Sequence, residues 1–98
     1  MNPNLSSANK WKAINTAGTT VIPGKLILVG VVINTKGGSS NIAKIYDGTI
    51  SNESLVATVD TVNNIGLISY YIPCLSGINI VTSAGTQADL TVIYAETP

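Results

Sequence analysis

Apolar residues come along this chain in short runs, each closed by glycine, proline, asparagine or serine. The runs cover Thr19 to Ile22, Lys25 to Asn34, Asn41 to Asp47, Leu55 to Val62, Ile68 to Leu75, Ile78 to Thr82 and Ala88 to Glu96. Between them stand Pro23-Gly24, Lys36-Gly37-Gly38-Ser39-Ser40, Asp47-Gly48, Asn63-Asn64, Ser76-Gly77 and Ala84-Gly85, residues that tolerate turn dihedrals. Valine and isoleucine dominate the runs, and their branched side chains suit a pleated, half-buried surface. No segment of helical length carries a 3.6-residue period. Evenly spaced strands without helices between them exclude parallel crossovers, so the pattern predicts an all-β fold: an antiparallel β-sandwich, jelly-roll-like, of about seven to eight short strands.

The faces of two runs differ. In the last, Leu90, Val92 and Tyr94 alternate with Asp89, Thr91 and Ile93, as in a sheet covered on one side. In the second, strict alternation places Leu26, Leu28 and Val32 on one face and Ile27, Val29, Val31 and Ile33 on the other, so both faces are apolar. One face is core; the other is either covered by a loop or by the N-terminal arm or forms a seam between subunits, and the seam is the reading taken, because large exposed apolar patches are rare on monomers. Residues 1–18 show no strand pattern before Trp11 and are read as a partly extended N-terminal arm, with residues 19–98 forming the sandwich. Leu5 and Trp11 are the arm's adhesive residues, since a lone tryptophan is costly to leave in water. Tyr70 and Tyr71 are consecutive and therefore point to opposite faces; Tyr71 joins the seam residues.

Composition narrows function mainly by subtraction. Histidine is absent, charged residues make up 10% of the 98, and five basic residues balance five acidic ones. Catalysis near neutral pH draws on titratable side chains, so the expectation is a protein that is not an enzyme, with no catalytic residues, cofactor or metal. A net charge of zero offers no footprint for phosphate backbones or anionic lipid, and the longest apolar run is too short to span a bilayer, so neither nucleic acid nor membrane is an expected partner. The polar, Asn-rich start lacks a basic and an apolar secretory region, which points to folding in a cytoplasm. Cys74 has no histidine to activate it and follows Pro73 in an apolar run, as a buried structural thiol would. Lys36-Gly37-Gly38-Ser39-Ser40 lacks phosphate-loop order, and the acids around Asp47 and Glu53 lack calcium-loop spacing.

One likeness extends over most of the chain, from about Thr19 to Glu96. Gly24 through Asn34, then Ala43-Lys44-Ile45-Tyr46-Asp47-Gly48-Thr49, Tyr71-Ile72-Pro73, Ser76-Gly77-Ile78 and a closing Ala88 through Tyr94 together resemble small β-sandwich structural proteins of tailed bacteriophages and prophages. That resemblance implies a virion structural protein: a capsid decoration or cement protein bound to the major capsid protein or another virion protein on the head surface, assembled in the host cytoplasm, and commonly a homotrimer. A second reading from a different class is a receptor- or glycan-binding module at a tail or fibre tip, with Trp11, Tyr46, Tyr70 or Tyr71 as its stacking surface.

Overall fold

In the computed structural model, residues 10–49, 54–83 and 85–96 are described. They form eight strands: β1 (Lys10–Ile14), β2 (Gly18–Ile22), β3 (Leu26–Thr35), β4 (Ile42–Asp47), β5 (Leu55–Asp60), β6 (Gly66–Cys74), β7 (Ile78–Ser83) and β8 (Asp89–Glu96). Two four-stranded sheets result, ordered β1-β8-β3-β6 and β2-β7-β4-β5, with every pairing antiparallel. Successive strands pass from one sheet to the other, except for the β4–β5 hairpin. This is the strand order of a jelly roll, in which two Greek keys fold over one core.

The core lies between the sheets and is built almost wholly from aliphatic side chains. Leu26, Leu28, Val31, Ile33, Leu90 and Val92 from the first sheet meet Ile22, Ala43, Ile45, Val59, Ile78 and Ile80 from the second. Cys74 is buried among them, as its apolar run implied. Turn glycines stand where the chain needs a left-handed backbone. Gly85, at φ +58°, also lies so close to the carbonyl of Gly38 that a Cβ there would collide with it. That approach belongs to a knot of connections at one end of the sandwich. Gly38 and Thr86 exchange backbone hydrogen bonds at 2.9 Å each. The Thr61 hydroxyl donates to Asn41 Oδ1 at 2.6 Å, and the Asn41 amide donates to Ser83 O and Gln87 Oε1. Buried polar groups with mutual partners lock the β3–β4, β5–β6 and β7–β8 connections together.

Two sequence expectations need correction. Lys10–Ile14, read as part of an arm, is an edge strand of the first sheet, paired residue for residue with β8 from Lys10↔Tyr94 to Ile14↔Leu90. The strand escapes pattern reading because its polarity is inverted. Lys10, Lys12 and Ile14 point to the core side while Trp11 and Ala13 face out, and only Ile14 is buried. Lysines on the core side of an edge strand also discourage another sheet from pairing there. Leu5, the other residue assigned to the arm, lies outside the described residues.

The second correction concerns β3. Leu26, Leu28, Val31 and Ile33 are all buried, whereas Ile27, Val29 and Val32 are half-buried on the opposite face. Strict alternation fails at a β-bulge between Leu28 and Gly30. The row Tyr94–Leu28–Ile72 and the row Ile93–Gly30–Ser69 are separated by no residue on β8, by Val29 on β3, and by Tyr70 and Tyr71 on β6. The sheet thus takes up extra residues progressively toward β6. An inserted residue inverts the in–out phase of everything after it. Val31 and Ile33, expected at a subunit seam, are 1% exposed and belong to the core.

Candidate functional site: the outer face of the first sheet

With the bulge in place, the solvent side of β1-β8-β3-β6 can be built row by row. One row runs Trp11–Ile93–Gly30–Ser69 from β1 to β6; the next runs Ala13–Thr91–Val32–Leu67; on the other side Ala95, Ile27 and Pro73 align. Val29 and Tyr71 occupy the bulge between rows. Three of the largest exposed apolar side chains of the protein stand here: Trp11 at 68%, Leu67 at 61% and Tyr71 at 70% exposure. Ile27, Val29, Val32 and Ile93 lie half-buried between them. None of these three rows contains a charged side chain; Asp89 stands beyond them, opposite Thr35 at the end of the face. The polar groups are Ser69 and, at one end, a pair in which Asn34 Nδ2 donates to Thr91 Oγ1 at 3.0 Å.

Tyr71 is held in an uncommon way. Its φ is +57°, in the left-handed region that bulky residues avoid at a cost of about 1–3 kcal/mol. The strain goes with the bulge, and its effect is to keep Tyr71 on the solvent side while Tyr70 packs against the core. Gly30 is constrained from the other direction. A Cβ there would come within 2.7 Å of Ile68 O and 3.1 Å of a Leu67 methyl, so the floor of the face must stay low at this point.

Of the residues the sequence assigned to an interface, the structure brings together Trp11, Ile27, Val29 and Tyr71 on this face and removes Val31 and Ile33 from it. It adds Val32, Leu67, Ile93 and Pro73, which sequence reasoning missed. Val32 was placed on the wrong side by the undetected bulge. Leu67 precedes the run expected on β6, and Ile93 stood on a face taken to be polar.

Elsewhere several titratable groups make contacts within the fold. Asp47 Oδ1 accepts the backbone N–H of Ser76 at 3.0 Å, and Glu96 pairs with Lys10 at 3.1 Å. The Asn63 side-chain amide, then the backbone N–H groups of Val62 and Asn63, hold the Asp60 carboxyl below its ordinary value. Asp60 closes the β5–β6 turn beside a shallow recess of about 300 Å³ lined also by Ser40, Asn41, Ile42, Val62 and Asn63. Burial, with the charge of Asp47 adding to it, pushes the Cys74 thiol up to about 11, so the thiolate is disfavoured. Among the described residues no three His, Cys, Asp or Glu side chains gather as a metal site, and no helix is long and apolar enough to cross a membrane.

No family profile matches the chain, and no curated protein is detectably similar to it.

Proposed function

We infer that the chain is a virion structural protein, a capsid decoration or cement protein that binds the outer surface of a phage head as an oligomer. The observation that carries this reading is the largely apolar outer face of the first sheet, its three central rows without charge, displayed on a small sandwich. Such a face holds surfaces together by excluding water and requires no chemistry. The likeness of the strand and turn phrases to phage structural proteins supplies the setting, with the major capsid protein or another virion protein as partner. The test is to band particles from a host strain carrying the gene and look for the chain by mass spectrometry. Stoichiometric recovery with the heads supports the reading; absence from every particle fraction overturns it.

The exposure of both Trp11 and Tyr71 favours a second reading, a glycan-binding module, because aromatic faces stack on sugar rings. The floor between them weighs against it. Ile27, Val29 and Ile93 offer no hydrogen-bonding side chains to orient hydroxyl groups. Binding on a glycan array that Trp11→Ala abolishes would reverse the preference.

A further inference from the structure

We propose that the outer face of the first sheet is occupied by a second copy of the chain, the two faces packing sheet on sheet about a twofold axis that runs parallel to the strands between β8 and β3. The inference deepens the assembly reading above and rests on it only for the idea that this face is adhesive. Its content comes from the register.

A twofold in that position lays β1 of one copy over β6 of the other and β8 over β3, without changing the row. In the row Trp11–Ile93–Gly30–Ser69 the two largest residues lie on one side of the axis and the two smallest on the other. Trp11 therefore descends on Ser69 of the second copy, and Ile93 on its Gly30. In the next row Ala13 meets Leu67 and Thr91 meets Val32; in the third, Ala95 meets Ile27. Trp11 on Ser69, Ile93 on Gly30, Leu67 on Ala13 and Ile27 on Ala95 set large against small across the axis, with Thr91 and Val32 of similar size between them, and such alternation lets two copies of one surface interdigitate as a sandwich core does. A twofold across the strands would instead set β1 on β1, bringing Trp11 toward Trp11 and leaving Gly30 over an empty floor.

Size and charge agree with that occupant. Four strands about 4.8 Å apart, over about eight residues at about 3.4 Å each, present roughly 500 Å². Two such faces hide roughly 1,000 Å², the lower bound for a specific interface. The three central rows hold no charge, and Asp89 stands beyond them at the exposed end of β8, so stacking the rows leaves no ion buried without a partner. Gly30, already required by the close approach of Ile68 O within the chain, leaves the recess that Ile93 of the second copy enters.

The test begins with the mass of the full chain by light scattering. The expected result is twice 10.1 kDa, falling to 10.1 kDa for Val29→Lys with an unchanged circular dichroism spectrum. Trp11→Ser, at an exposed position, serves as the second dissociating variant should Val29→Lys fail to fold. Orientation is then read by mixing an Ala13→Cys chain with a Leu67→Cys chain and adding a short bismaleimide. The mixture cross-links to a dimer, while each variant alone does so at least ten-fold less. A monomeric or trimeric native chain overturns the proposal, because three copies cannot all present this face to itself. Efficient cross-linking of Ala13→Cys with itself also overturns it. A monomer that is still found on particles removes the twofold and spares the virion reading; a dimer absent from particles does the reverse.

Discussion

The two sheets both line the core, yet their outer surfaces differ along the central row. On β1-β8-β3-β6 the central row reads Trp11–Ile93–Gly30–Ser69; on β2-β7-β4-β5 it reads Thr19–Val81–Lys44–Thr58, with Asp60 beside Ile42 in a neighbouring row. In the remaining row of the second sheet, Tyr46 and Asn79 occupy outward register positions but are already buried within the chain. The second sheet therefore meets water with Lys44, Asp60 and hydroxyl groups, and with the aliphatic side chains of Val21 and Leu55 at the two ends of its partly covered row. The first meets it mainly with aliphatic and aromatic carbon, Trp11, Leu67 and Tyr71 foremost, with Asp89 at one end. The larger contiguous apolar patch lies on the first sheet, which is the side proposed above to assemble.

The largest effect should separate two valines two residues apart. Val31→Lys places a charge without a partner in the core and is expected to cost several kcal/mol, enough to abolish the cooperative thermal transition. Val29→Lys, across the bulge, should keep the fold and lose only the association. If both variants unfold, β3 is enclosed on its two faces within one chain and the contrast between the sheets fails.

A matched change on the other sheet sharpens the comparison. Val81→Lys stands in the central outer row beside Lys44, and is expected to lower stability by about 1 kcal/mol while leaving the solution mass unchanged. A loss of oligomer with Val81→Lys would move the interface to the second sheet.

Tyr71→Asn should pull stability and association in different directions. Asparagine tolerates the left-handed backbone, so the folded monomer gains up to about 1 kcal/mol in a denaturant titration, while sedimentation detects weaker self-association. Weakening of both would mean that the tyrosine ring supports the monomer more than its backbone strains it.

The smallest effect belongs to the charged rim of the second sheet. The folded-state pKa of Asp60 is depressed, so its contribution is present above the ordinary carboxylate value and is lost as pH falls through the lower folded-state value. Melting temperature should thus decline below about pH 4 in the native chain, and Asp60→Asn should flatten part of that slope without altering self-association.

How much of this was legible in the residues depends on the range of the physics involved. Strand content, turn positions and the inert setting of Cys74 follow from local rules, because β-branched runs and turn residues act over neighbouring positions. The apolar character of both faces of β3 was legible too, since no regular alternation of Leu26 through Ile33 can hide both sets of side chains in one core. β1 was not legible as a strand. Its single buried residue, Ile14, is a weak signal beside two core-side lysines, and its place comes from the backbone of β8, a partner some eighty residues away. Nor could the phase of β3 be read, for a bulge is a relation between strands. The extra residue at Val29 exists only against Ile93 and Tyr94 on one side and Tyr70 and Tyr71 on the other. Composition therefore determined that this chain would be an all-β sandwich with more apolar surface than one core consumes. Pairing in three dimensions decided which residues carry the surplus, because facing is a property of register, and register is set by partners distant along the chain.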